Sequence, residues 1–133
     1  MGRRILAVLA GLASSVIMVI LGDLFHHQFY PPPEGFDPSN AEAIAEFAST
    51  LPFEAFMLML LTWAASVFVA GFVASKIAPA HWARVSLIVG VVALAGAVAN
   101  LMAIPHPMWM NITTVIMYIP LAYLGGRLGG KGR

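Results

Sequence analysis

Cysteine is absent from the 133-residue chain, and charged residues are scarce. The absence of cysteine excludes disulfide bonds, thiolate metal sites and cysteine nucleophiles. Only 10% of the residues are charged and the formal net charge is +1, so no basic surface for nucleic acid is expected. Nucleotide-binding loops, HExxH or CxxC patterns and the serine–histidine–acid pattern of hydrolases are also missing. The sequence therefore predicts a protein that is not an enzyme.

Apolar residues are abundant instead and make up 60% of the chain, against roughly 45–50% in soluble domains. A soluble protein of this size has too little interior to bury them. Four apolar stretches are each long enough to cross about 30 Å of hydrocarbon. They lie at about 5–27, 52–77, 85–104 and 107–126. We therefore predict an all-α fold, a four-transmembrane-helix bundle that forms one integral membrane domain over residues 1–133.

Charge is sorted between the two sides of this four-span arrangement. All seven basic residues lie on one side: Arg3, Arg4, Lys76, Arg84, Arg127, Lys131 and Arg133. All six acidic residues lie on the other: Asp23, Glu34, Asp37, Glu42, Glu46 and Glu54. The positive-inside rule places loops rich in Lys and Arg in the cytoplasm. We therefore predict a multi-pass protein with both termini in the cytoplasm and the loop 28–51 outside.

The external loop contains the pattern of one short amphipathic helix between the first two spans. Asp37 followed by Pro38 is typical of a helix N-cap and first turn. The small or apolar residues that follow recur at helical spacing: Ala41, Ile44, Ala45 and Ala48. We expect this helix to lie over the outer end of the bundle.

Small residues at four-residue spacing predict close packing between the spans, because apolar burial does not drive helix association in lipid. They are Ala7, Gly11 and Ser15, then Ser66, Ala70 and Ala74, then Ala93 and Ala97. Packing within one bundle is the simpler interpretation, and self-association of the protein is the alternative. The glycine pairs 125–126 and 129–130 predict instead a flexible basic tail that contacts anionic headgroups.

Polar residues gather at the outer level of the predicted bundle and form a candidate site. They are Asp23, His27, Glu54, Asn100, His106 and Asn111. Asp23 lies three and four residues before His26 and His27, so its carboxylate is within reach of either imidazole on a helix. Such a carboxylate raises the proton affinity of histidine or fixes its tautomer for a metal. A structural role, a metal or haem site and a site for a proton or small polar ligand all remain open.

The metal or haem hypothesis uses His27 and His106 as ligands and Asp23 as the group that orients an imidazole. The structural interpretation has its own support, since aromatic residues concentrate at membrane–water interfaces. Tyr30, Trp82 and Trp109 are predicted interfacial anchors of this kind.

Two stretches, HQFYPPP at 27–33 and IPHPMW at 104–109, resemble a group of small bacterial four-span membrane proteins. The shared patterns are His-x-x-Tyr-Pro-Pro-Pro after the first span and Ile-Pro-His-Pro-x-Trp between the third and fourth. The resemblance implies a four-span fold in a bacterial inner membrane and no particular reaction. A glycine often precedes the first histidine in that group, where this chain has His26, which favours His27 over His26 as a site residue.

The sequence as a whole predicts a non-catalytic structural or accessory membrane subunit that needs no cofactor. Its expected partners are the lipid bilayer and either a second copy of the chain or a larger membrane complex. Binding of a metal or haem at the outer His/Asp cluster is one alternative. Transport of a small solute or a proton by an oligomer is the other, because four spans alone hardly enclose a path.

Overall fold

The computed structural model describes residues 2–104 and 106–130, and within these ranges the chain folds into five α-helices without a strand. The helices are α1 (Gly2–Phe29), α2 (Ala41–Thr50), α3 (Phe53–Ile77), α4 (Trp82–Ala103) and α5 (Met108–Gly130), with a 3₁₀ turn at Pro79–His81. All but α2 are long and apolar enough to cross a membrane. The predicted four-helix bundle is confirmed, and the chain is an integral membrane protein.

The two ends of the bundle carry opposite charge. At one end the Arg3 Nε–H donates to the carbonyl oxygen of Ile77 at 2.6 Å, which ties the start of α1 to the end of α3. This basic end holds the described basic residues Arg3, Arg4, Lys76, Arg84 and Arg127. The opposite, acidic end holds Asp23, Glu54 and the loop with the other four acids. Lys131 and Arg133 lie outside the described residues.

The N-cap of α2 is Asn40, three residues later than predicted. Its side-chain oxygen accepts hydrogen bonds from the backbone N–H groups of Glu42 at 2.9 Å and Ala43 at 3.2 Å. The predicted cap, Asp37, instead accepts from the backbone N–H and the hydroxyl of Ser39 at 3.0 and 2.7 Å. The prediction is wrong because the Asp37 carboxylate closes a turn before the helix begins.

The short helix α2 packs on its own loop. Its Phe47 ring lies 5.4 Å from the ring of Phe36, and Pro31 and Pro33 line the adjacent shallow cavity. No residue of α2 is buried, and in the described ranges α2 makes no extensive contact with the four long helices. The external helix therefore exists as predicted, but it does not lie across the end of the bundle.

The central helix of the bundle is α3, which contacts α1, α4 and α5. Toward the acidic end its neighbours meet around large side chains, namely Phe56, Leu60, Trp63, Met110 and Tyr118. Toward the basic end the core consists of smaller ones, namely Ala7, Ala70, Ala74, Ala78, Val85 and Val89. Small side chains let helix axes approach closely, so the bundle is narrower at its basic end.

The glycines near the end of α5 form a helix interface and not a flexible tail. Gly125 and Gly129 are buried one turn apart within α5 and face α3. A Cβ on Gly125 would overlap the backbone carbonyl of Phe68, and one on Gly129 would lie 2.5 Å from the carbonyl oxygen of Phe72. The predicted tail is wrong up to Gly130, because these glycines allow α5 to touch the backbone of α3.

The neighbouring pair, Gly126 and Gly130, faces α4, the second helix that packs against α5. A Cβ on Gly126 would overlap the side chain of Ser86, and one on Gly130 would lie 2.6 Å from the Cβ of Trp82. Consecutive residues of an α-helix point about 100° apart. Two glycine pairs offset by one residue therefore let α5 approach α3 and α4 at the same depth.

We predict that Gly125→Ala destabilises the protein whereas Gly96→Ala does not. Alanine is intrinsically the better helix former, and no atom lies within 4 Å of the position of a Cβ on Gly96. On Gly125 the added methyl would meet backbone that cannot rotate away, an overpacking that costs about 1–3 kcal/mol. Unfolding free energies from titration with a denaturing detergent measure the difference. Equal free energies for the two variants would contradict the proposed packing.

Candidate functional site

The buried histidine at the acidic end is His26, in the last turn of α1, with 7% of its surface exposed. Its Nε2–H donates to the backbone carbonyl oxygen of Ala55 at 3.2 Å. Since a carbonyl oxygen only accepts, Nε2 carries the proton. The ring of Tyr30 lies 5.1 Å away, between ring centroids. His26 thus ties the end of α1 to the start of α3.

Asp23 and His27 have exposed side chains on α1. His27 follows His26 by one residue, so it points about 100° around the helix and away from α3. The imidazole centroids of the two histidines are 6.3 Å apart. The structure therefore buries His26 in the bundle, whereas the sequence predicted His27 as the site residue.

His106 lies half-buried in the connection between α4 and α5. Its Nδ1–H donates to the carbonyl oxygen of Ile104 at 2.7 Å, and its ring centroid lies 5.7 Å from that of Trp63 and 6.3 Å from that of Phe56. Burial lowers the pKa of His106 below the ordinary value of 6.5, and the hydrogen bond to Ile104 offsets only part of this effect. The imidazole is therefore mainly neutral at pH 7 and carries its proton on Nδ1.

The other predicted site residues differ in their exposure. Glu54 is exposed in the first turn of α3, and Asn100 is exposed on α4. Asn111 is partly buried in α5, and its Oδ1 has no hydrogen-bond partner among the described residues. The same holds for the Oγ1 of the fully buried Thr114, about one turn further along α5. Two acceptor oxygens in the interior are thus available to a donor such as water.

The predicted metal or haem ligands lie on different elements, with Asp23 and His27 on α1 and His106 in the connection between α4 and α5. In the ranges 2–104 and 106–130, no three His, Asp or Glu side chains are grouped so as to hold a metal ion. Asp23 and His27 are exposed on α1, whereas His106 packs on Trp63. Binding of a metal or haem by His27 and His106 therefore stays a prediction.

A groove of about 440 Å³ lies between α1 and α4 in the half of the bundle toward the acidic end, and we term it the lateral groove. It opens sideways, toward the position of the lipid. Its walls are mostly apolar and include Val16, Val19, Trp63, Tyr118, Gly96 and Ala97. On the α4 side, Ala93, Gly96 and Ala97 have side chains too small to fill the space between the helices.

The polar atoms of the lateral groove differ in whether they have a hydrogen-bond partner in the described part of the chain. On its floor the Ser66 hydroxyl donates to the carbonyl oxygen of Trp63 at 2.7 Å, and the Tyr118 hydroxyl lies beside Ser66. At its rim Asn100 is exposed, and its side-chain amide has no hydrogen-bond partner in the described part of the chain. Only the rim therefore offers a polar group to a partner. Neither Ser66 nor Tyr118 stands out in the sequence as part of a site, since their helical positions match those of ordinary core residues.

The aromatic residues predicted as anchors lie near the two ends of the bundle. Trp109 packs on Phe53 at the acidic end, with 5.0 Å between ring centroids. Trp82 packs on Tyr123 at the basic end, with 5.2 Å between centroids. Tyr30 follows α1 at the acidic end. Their interfacial role stays a prediction, since it depends on where the bilayer lies.

No protein-family model matches the chain, and no curated protein or solved structure is similar to it. The resemblance carried by residues 27–33 and 104–109 therefore stays a prediction.

Acid is expected to weaken the fold through His106. Because the pKa of His106 is lower in the folded chain, the unfolded chain binds a proton below about pH 6.5 that the folded chain does not. The unfolding free energy should therefore fall as pH is lowered from about 7 to about 5. His106→Phe keeps a ring against Trp63 and removes one titrating group, so it should reduce this dependence. Unfolding free energies measured across this pH range give the slope.

His27→Phe is the matched control, since it removes an exposed imidazole by the same substitution. It should leave the pH dependence of stability unchanged. An unaltered slope in His106→Phe would show that the buried imidazole contributes nothing to acid sensitivity.

Proposed function

We propose that the protein is a non-catalytic structural subunit of the membrane that assembles laterally with a second copy of itself through α4. The observation that carries this proposal is the exposed amide of Asn100 at the rim of the lateral groove, which has no hydrogen-bond partner among the described residues. The known contacts of the histidines agree with a structural role. His26 and His106 each donate to a backbone carbonyl and so hold helix ends in place.

The surface of α4 beside the groove suits close helix packing. Val92, Gly96 and Asn100 follow one another at four-residue spacing and lie on one face of the helix. All three are exposed, and the position of a Cβ on Gly96 has no atom within 4 Å. A small residue in the middle of such a face lets a second helix approach its backbone. The van der Waals contacts that stabilise helix pairs in lipid are therefore available here.

The amide of Asn100 favours a second copy of the chain as the partner. A side-chain amide in hydrocarbon is costly without a hydrogen-bond partner. It carries both donors and an acceptor, so it is complementary to an identical amide. In a two-fold dimer whose axis is normal to the membrane, identical residues lie at the same depth. Asn100 of each subunit then satisfies the other.

Cross-linking in the membrane tests this interface directly. Because the chain has no cysteine, single cysteines can be introduced at Val92 and Gly96 without further changes. Mild oxidation should convert Val92→Cys and Gly96→Cys to covalent dimers. Adding Asn100→Leu should lower the yield, since an interhelical hydrogen bond of this kind typically changes association about threefold.

The matched control is Ile116→Cys on α5. Gly90 packs against Ala122, and α4 and α5 run in opposite directions, so Gly96 and Ile116 lie at the same depth. Ile116 is 66% exposed and should not cross-link. Equal yields from Gly96→Cys and Ile116→Cys would mean random collision, and the absence of dimer at both α4 positions would rule out the interface.

We also propose that the basic end faces the cytoplasm of a bacterial inner membrane. The compartment rests on the resemblance of residues 27–33 and 104–109, and the direction on the excess of Lys and Arg at the basic end. Ala41→Cys and Ala80→Cys place the same label at exposed positions of opposite ends. A membrane-impermeant reagent should modify position 41 in intact spheroplasts and position 80 only after lysis. The reverse pattern would invert the orientation.

A further inference from the structure

We infer that α1 and α4 bind one anionic phospholipid at the basic end, with Arg4 and Arg84 on its phosphate and an acyl chain in the groove beneath them. The inference does not depend on dimer formation, since both helices belong to one chain. It concerns a different region of the α1–α4 side from the lateral groove.

The site is a second groove, of about 370 Å³, which we term the basic-end groove. The two arginines line it together with five apolar residues: Ile5, Val8 and Leu9 of α1 and Val85 and Ile88 of α4. Ile5, Leu9 and Ile88 are exposed, so the groove is open along the side of the bundle. A bilayer supplies hydrocarbon chains to such an opening, and aliphatic walls of this kind suit them.

Arg4 and Arg84 lie at nearly the same depth in the membrane. α1 and α4 run in the same direction from the basic end, and a Cβ on Gly11 would lie 3.3 Å from Val89 Cγ2. Arg4 precedes Gly11 by seven residues and Arg84 precedes Val89 by five. The two positions therefore differ by about 3 Å along the helix axis. Two guanidinium groups on neighbouring helices can then reach one phosphate.

No carboxylate side chain competes for these two cations. All six acidic residues lie at the acidic end. Two other cations of the basic end contact different partners: Arg3 donates to the carbonyl oxygen of Ile77, and Lys76 lies 5.4 Å from the ring centroid of Phe72. Arg4 and Arg84 therefore remain for an external anion.

The chemistry of the site matches a phosphodiester headgroup attached to an acyl chain. The planar guanidinium group of arginine donates two parallel hydrogen bonds to phosphate oxygens. Its aliphatic stem lies along apolar surface while the charged group remains at headgroup level. Basic pockets between spanning helices are a recurrent form of anionic lipid recognition. The apolar groove directly below the charges distinguishes this site from a general attraction to the membrane surface.

Native mass spectrometry of the purified chain with added phosphatidylglycerol or phosphatidylcholine tests the inference. We expect phosphatidylglycerol to be retained in preference to phosphatidylcholine, and each of Arg4→Gln and Arg84→Gln to weaken its binding about fivefold. Arg127→Gln removes the same charge from the same end outside the groove, and it should leave binding unchanged. Ile88→Trp keeps both arginines and fills the groove, so it should also reduce retention.

Three results would overturn the inference. Equal retention of the two lipids would show that the site does not select a lipid with a net negative charge, and an equal loss in Arg127→Gln would show a diffuse charge effect. Competition by soluble glycerol phosphate as strong as that by the lipid would indicate a phosphate site without a chain site. Asn100→Leu should keep the lipid even as a monomer, which separates this result from failure of the proposed dimer. If one of the two arginine variants does not fold, the other and Ile88→Trp still decide.

Discussion

Direct contact between helix backbones near the basic end is the constraint on which the rest of the structure depends. In hydrocarbon, helices do not associate to hide apolar surface from water, so dispersion contacts and close packing must hold them together. Gly125 and Gly129 bring α5 onto α3, while Gly126 and Gly130 bring it onto α4. A Cβ on Gly71 of α3 would in turn overlap backbone of α5. Any side chain at these positions would push the three helices apart.

The wider acidic end follows from this narrow basic end. There the helices are separated by large side chains, among them Phe56, Trp63 and Tyr118. α1 follows α3 along its length, since a Cβ on Gly11 would lie 2.6 Å from the carbonyl oxygen of Ala70 and His26 bonds to Ala55. Because α1 stays with α3, it meets α4 over a shorter stretch, near Ala7, Gly11 and Val89. The two grooves between α1 and α4 are thus a product of the same packing.

The sequence predicted those features that depend on averages over many residues. Span length, apolar content and the sorting of charge between the two ends are such features, and the predicted bundle and the charged ends agree with the structure. The phase of a helix depends on single contacts, however. A uniformly apolar helix such as α1 has no polar face to indicate which side is buried, so His26 and His27 are indistinguishable without α3 beside them.

Local sequence was also misleading where tertiary contact reversed its usual meaning. Paired glycines such as 125–126 favour flexible chain in water, yet between two helices their missing Cβ atoms are what permits contact. Asp37 has the chemistry of an N-cap, but Ser39 occupies its carboxylate and Asn40 takes the role. Thr114 resembles ordinary helix sequence. Only the three-dimensional packing shows that its hydroxyl is buried without a partner in the described part of the chain.

The polar groups fall into two classes, those that bond to backbone carbonyls within the chain and those that lie at openings between α1 and α4. His26 and His106 find backbone carbonyls within the chain, and Ser66 does the same on the floor of the lateral groove. Asn100 and the arginines of the basic-end groove lie at openings between α1 and α4 instead. Polar groups at apolar openings are costly unless something outside the chain pairs with them. The α3–α5 side therefore holds the fold together, and the proposed binding of a second copy and of a lipid both use the openings between α1 and α4.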